Sequence, residues 1–318
     1  MQIRFWGTRG SLPAPLTATA IKDKLVAALT AAQGIKLETP AAIDSFIAQL
    51  PFSVSGTFGG DSSCVEIIDS EDTHVLCDLG SGARRYGAEM LRRYGPKQPQ
   101  TYHVFMSHLH WDHIMGFPFF TPAFIPGNRI LIHGCHAGLE AAFRRQHGAP
   151  SFPVDFKQLP ASIEFVQLQP GVTSDIAGYK VTPLLQRHAG DSYGYRFEKT
   201  GKCVVYSTDS EHRTENSEET EAFAAFFRNA DLVIFDAMYS LADAVSVKED
   251  WGHSSNIIGV ELCQLAGAKR LCLFHHEPVF GDAQLEDILR QTRRLEEITR
   301  DGAPLEIITA WDGLVLDL

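Results

Sequence analysis

The 318 residues carry 39 acidic against 28 basic side chains, a net charge of -11, and 44% of them are hydrophobic. That apolar content suits one large core, and the negative balance disfavours a long polyanion as partner unless bound cations make one cleft locally positive. No long apolar run or leader-like start occurs, which speaks against membrane insertion and export. The six cysteines have no C-x-x-C spacing and read as reduced thiols of a cytoplasmic protein.

Taken in chain order, residues 2–6 form a first strand, and the turn-rich Gly7-Thr-Arg-Gly10-Ser-Leu-Pro13 follows. An insertion spans about 16–55. Ile21, Leu25 and Leu29 fall four apart in it, as do Ile43 and Ile47, so two short amphipathic helices separated near Pro40 are expected. Surface packing is the plain role of this insertion, with a lid or a homodimer contact as the functional alternatives. Residues 64–68 and 74–79 read as a hairpin around 69–72. The next helix opens on Gly80-Ser-Gly82, but Gly87 is misplaced for a dinucleotide-binding G-x-G-x-x-G, so those glycines only turn the chain.

Further strands are expected at 102–106, 130–132, 163–168, 179–185, 193–198 and 203–207. The last third then alternates helices at 218–228, 254–265 and 282–300 with strands at 232–235, 270–274, 305–308 and 313–316. Strands interleaved with helices and hairpins indicate an α/β fold of two packed sheets with helices outside. No composition break divides the chain, so one domain covering 1–318 is expected, the helical insertion included.

His108-Leu-His110-Trp-Asp112-His113 packs four metal-ligand side chains into six residues directly after an apolar strand. Three imidazoles and a carboxylate so close together suit a pair of borderline divalent ions, whereas structural zinc usually recruits thiolates and no cysteine is near in sequence. Each further candidate also stands where a strand runs out: His188, Asp209 and the pair His275-His276. Asp78 and Asp236 end strands as well, placed to accept the spare N–H of a ligand histidine. His253 lies before a helix, in Gly252-His253-Ser254, where an anion such as phosphate is favoured. His74, His103, His133, His136, His147 and His212 match no such pattern, and most of the aromatic run from Phe117 to Phe124 reads as core.

These separated motifs, in this order, resemble the metallo-β-lactamase superfamily, and within it the branch of tRNA 3′-processing endonucleases and small phosphodiesterases. The resemblance covers nearly everything except the insertion. It implies an αββα sandwich of two mixed sheets with helices on the outer faces. It implies two divalent ions, zinc foremost, with manganese or iron tolerated. His108, His110 and His188 would hold one, Asp112, His113 and His275 the other, and Asp209 would bridge. His275 matches better than His276 because it comes immediately after the strand; His276 is left for substrate or for support of the ligands, as are Asp78, Asp236 and Asp61. Asp61 departs from the family's usual Gly-Gly-Asn-Thr-Ser, here Gly59-Gly60-Asp61-Ser62-Ser63, and a hydrogen-bonded turn is its other reading.

The implied activity is hydrolysis of a small phosphodiester or cyclic nucleotide by a hydroxide shared between the ions, with Asp112 and His253 as the catalytic residues and His253 protonating the leaving group. The interval 114–187 has ordinary strand and helix patterns where tRNA-processing relatives bear a long Gly/Pro-rich arm. Thioester or lactam hydrolysis is the enzymatic alternative. A silent binding protein of the coenzyme-biosynthesis type is the other, and it would be expected to have lost ligands.

Overall fold

The computed structural model describes residues 1–69, 73–212, 217–239 and 252–318. Two seven-stranded sheets face each other. The first contains β1 (Gln2–Gly7), β2 (Cys64–Ile68), β3 (Thr73–Cys77), β4 (Thr101–Phe105), β5 (Arg129–Gly134) and β6 (Ser162–Gln167) side by side, with β14 (Val315–Asp317) outside β1. The second runs from β7 (Ser174–Ile176) through β8 (Tyr179–Gln186), β9 (Ser192–Lys199), β10 (Lys202–Ser207), β11 (Leu232–Asp236) and β12 (Arg270–Phe274) to β13 (Glu306–Thr309).

Each sheet begins with antiparallel hairpins and ends with parallel strands. Parallel neighbours need crossovers long enough to hold a helix. Between described strands these are α4 (Gly82–Tyr94), α6 (Leu139–Gln146), α7 (Ser217–Phe227), α8 (Asn256–Ala266) and α9 (Asp282–Thr299). All lie on the outer faces, giving the αββα sandwich.

Alternation along the strands builds the layers. Phe5, Val75, Cys77 and Phe105 point between the sheets to meet Tyr195, Phe197, Val204, Tyr206 and Phe274. Leu76 and Val104 point outward to Tyr86, Phe117 and Phe143, while Val205, Val233 and Leu271 point outward to Phe223, Phe227 and Val260. With both faces covered, these strands read as continuous apolar runs. The run after the histidine cluster forms two 3-10 turns in which Phe117 and Phe120 are buried while Phe119 and Phe124 are not.

The expected helices of the insertion are α1 (Ala18–Ala31) and α2 (Pro40–Gln49), followed by α3 (Phe52–Ser55). Thr17 and Thr39 cap the first two by accepting from the N–H three residues on, one of the donors a helix start leaves unpaired. Neither helix buries a residue, and Ile21, Leu25, Leu29, Ile43 and Ile47 all stay exposed. An ion pair from Lys24 to Asp282, 2.6 Å long, ties α1 to the start of α9. The three-residue β7 was not expected from the sequence, being too short to show alternation. The strand expected at 74–79 stops at Cys77 because Asp78 turns out of the ladder, and the turn expected at 69–72 lies mostly outside the described residues.

Candidate metal centre

Three candidate residues leave their strands in the left-handed region: Asp78 (φ 60°), Asp209 (φ 50°) and His275 (φ 59°). A side chain disfavours that conformation, at a cost of about 1–3 kcal/mol each. It turns each residue sharply at the carboxyl end of β3, β10 or β12, toward one focus between the sheets. After β4, His110 caps the short turn α5 (Trp111–Ile114), which carries Asp112 and His113 inward and leaves His110 and Trp111 exposed.

The side chains meet in two groups. Ligating atoms of His108, His110 and His188 all lie within 4.8 Å of one another, and so do those of Asp112, His113, Asp209 and His275. Asp209 faces both groups. Its Oδ1 is 3.7 Å from His108 Nε2 and 3.8 Å from His188 Nε2, while its Oδ2 is 3.1 Å from His113 Nε2 and 3.3 Å from His275 Nε2. Asp112 Oδ2 closes the second group, 3.2 Å from His113 Nε2 and 3.3 Å from His275 Nε2.

This donor set fits divalent cations. His108 Nε2 is fully buried without a hydrogen-bond partner, a costly state for a nitrogen aimed at a carboxylate beyond bonding distance. Imidazoles and carboxylates in this mixture are what zinc, manganese or iron coordinate. The charges respond accordingly. Burial, and then His113, hold His108 well below the usual imidazole range. For His113 burial is outweighed by Asp209, Asp112 and Asp78, which draw it well above. Asp112 and Asp209 resist burial too, and their facing histidines keep both carboxyls below the carboxylate range.

Behind the donors, Asp78 is fully buried and accepts from the Ser107 N–H (2.7 Å), Ser107 Oγ (2.6 Å), Tyr206 Oη (2.8 Å) and His113 Nδ1 (2.7 Å). With Nδ1–H so engaged, Nε2 is the nitrogen turned to the centre. His188 Nδ1 donates to the Gly252 carbonyl at 2.8 Å, the Ser11 N–H donates to Asp112 Oδ2 at 2.8 Å, and Gly10 lies flat against the His275 ring. Ser107, Tyr206, Ser11, Gly10 and Gly252 escaped the sequence reading as supports: nothing in the linear pattern says which hydroxyl or glycine folds back onto a ligand.

His253 reaches the centre as well. Its ring stacks on His275, with centroids 5.2 Å apart, and its Nδ1 donates to Asp236 Oδ2 at 2.9 Å. Burial opposes its charge, but Asp236 prevails and raises it to about 9. It stands two residues before Ser255, the cap of α8, so the carboxylate rather than the helix end sets its environment. Trp251 lies outside the described residues. His276 turns away from the centre: its Nε2 donates to the Ala310 carbonyl at 2.9 Å, and burial lowers it to about 3. Asp61 sits in the turn, receiving Ser81 Oγ at 2.8 Å and Arg85 at 3.5 Å, away from both donor groups. The six cysteines are unpaired, and among the described residues no helix is long and apolar enough to cross a membrane.

Residues 73–276 match the family model of the beta-lactamase superfamily domain. A ribonuclease Z from Bradyrhizobium diazoefficiens is 22% identical over 288 residues, covering 76% of this chain and 92% of that one. Among solved structures, the metallo-β-lactamase fold protein YhfI from Bacillus subtilis superposes with a TM-score of 0.64 at 18% identity, covering 99% of this chain and 98% of that one. A diphosphatase from the PhnP family gives 0.58 at 18% identity, covering 100% and 97%. The chain belongs to the beta-lactamase superfamily and is a metal-dependent hydrolase.

Proposed function

We propose that this hydrolase cleaves a small phosphodiester, such as a cyclic nucleotide, at a two-cation centre. His108, His110 and His188 would hold one ion, and Asp112, His113 and His275 the other, with Asp209 between them. When bound, the two cations, zinc foremost, supply the positive charge that polarises water and screens the phosphoryl oxygens.

The observation that carries the reading is the His253–Asp236 pair beside both donor groups. Asp236 occupies Nδ1, so Nε2 is the nitrogen that hands a proton to the departing alkoxide. Asp236 stays in place because the N–H groups of Ser210 (3.2 Å) and Met238 (3.1 Å) also donate to it. Asp78 keeps His113 in one tautomer, and the Gly252 carbonyl does the same for His188. Neither histidine then has to reorient as the ester reacts.

A small substrate is favoured by two things. Residues 114–187 are taken up by β5 to β8, α6 and their connections, and the net charge is -11. The similarity to ribonuclease Z favours a second reading, in which RNA is cut.

Metal analysis of the purified protein, combined with turnover of bis-p-nitrophenyl phosphate, a cyclic nucleotide, a tRNA precursor, a thioester and a lactam, tests all of these. Two ions per chain with turnover of the first two is the expected result. A higher kcat/KM for the tRNA precursor establishes the RNA reading. Exclusive thioester or lactam turnover overturns the phosphorus chemistry, and a metal-replete protein inert toward every ester is a binding protein.

A further inference from the structure

Trp111 stands between two candidate ligands, His110 and Asp112, and is 79% exposed. Its three companions in α5 are all buried, so the turn is anchored and this ring alone is directed outward. Among the described residues the indole makes no ring contact and its Nε1–H no hydrogen bond. An indole buries about 150–250 Å² where it can, and it is the largest apolar group a folded chain has to hide. Here it is left in water at the same edge where His110 is exposed. A satisfied core ring would be covered, and a ring needed only to shape α5 would pack on it.

We infer that Trp111 is the stacking platform for a flat aromatic group of the substrate, a nucleobase, whose phosphate faces the donor groups. The inference rests on the phosphodiester reading and adds a substrate class to it: a nucleotide ester rather than a sugar or lipid phosphate. Trp111 directly follows His110, whose Nδ1 lies 3.1 Å from His188 Nε2, so the indole adjoins the exposed member of the first donor group. Stacking accepts any base, because each presents a π face. Phe119, 58% exposed but braced edge-on against Phe152 at 5.6 Å, is the exposed aromatic control.

The test uses the metal-loaded protein and two probes, adenosine 5′-monophosphate and ribose 5-phosphate, which share a phosphate and differ by the base. Adenosine monophosphate is expected to quench tryptophan fluorescence and ribose 5-phosphate is not. Trp111→Ala should abolish the quench and weaken adenosine monophosphate binding about 10- to 100-fold, the usual span for a lost base–aromatic stack. Ribose 5-phosphate binding should stay within threefold. Trp111→Phe should keep the affinity without the quench, and Phe119→Ala should change neither, with metal content constant throughout.

Equal weakening of both probes by Trp111→Ala assigns the indole to the phosphate site and overturns the inference. So does adenosine monophosphate binding that ignores the substitution, or no binding of that nucleotide at all. Nucleotide binding that depends on Trp111, in a protein that hydrolyses no phosphodiester, leaves the platform standing and overturns only the reaction.

Discussion

Asp78→Asn isolates what the buried support contributes to the centre. Asparagine is nearly the same size and tolerates the φ of 60°, so the backbone need not move. What changes is the hydrogen-bond sense. Asp78 Oδ2 accepts from Ser107 Oγ, Tyr206 Oη and His113 Nδ1 at 2.6, 2.8 and 2.7 Å, while Oδ1 takes the Ser107 N–H. If the amide oxygen keeps the Ser107 N–H, the amide NH₂ confronts three donors. His113 can relieve its share only by moving its proton to Nε2, which removes the nitrogen lone pair aimed at the centre.

Losing such a support typically costs 10- to 100-fold in metal affinity, or about 1.4–2.7 kcal/mol. Downgrading three charge-assisted bonds adds a stability loss of about 2–4 kcal/mol in the metal-free protein. Chelator competition would read the first quantity and urea unfolding the second. The weakened ion should be the one assigned to Asp112, His113 and His275. Tyr206→Phe, which removes a single donor, should lower stability without moving the tautomer or the affinity. Two ions per chain held within threefold of the parent affinity in Asp78→Asn would refute the argument that Asp78 sets the His113 tautomer.

Three further outcomes are expected. His253→Ala should lower kcat about 10²- to 10⁴-fold while metal analysis finds the ions unchanged, because Asp236 keeps its two N–H donors; loss of an ion would make His253 a ligand instead. Gly252→Ala should empty the His108, His110 and His188 group, since a Cβ there would stand 2.4 Å from His188 Nδ1 at a φ of +81°; the left-handed backbone alone costs about 1–2 kcal/mol, and a fully loaded variant would refute the steric account. Stripping the ions with a chelator should abolish turnover and lower Tm, with about 4 kcal/mol of linkage lost per ion, about 8 kcal/mol for two, if each is normally present at 1,000 times its Kd, and zinc should restore both; an unchanged Tm in calorimetry would place the donors outside any cation site.

How much of this was legible in the chain depends on how local each feature is. His108, His110, Asp112 and His113 share one strand end and one turn, so their convergence follows from connectivity. Asp209, His188 and His275 could be singled out because each follows a strand, and a strand end in such a sheet has few places to point. The choice of His275 over His276 shows the limit. Neighbours along extended chain face opposite ways, so only one of the two could enter the centre, and only the family resemblance favoured His275. The left-handed φ of His275 turns that ring inward and leaves His276 on the Ala310 carbonyl. The paired hydroxyls on Asp78 were invisible for the same reason: Tyr206 is 128 residues away and reads simply as a β10 core residue until the sheets pack.

The insertion went the other way, since its caps and periodicity locate two helices, yet an apolar stripe in sequence does not reveal that the fold leaves it uncovered. Trp111 joins the two lessons. In sequence it is an apolar spacer between ligands, and it becomes informative only once α5 is seen to bury its other three residues and expose this one. Side chains that serve the fold become less visible as it forms. Trp111 stays in water beside His110, which is why its role is sought in a ligand and not in the core.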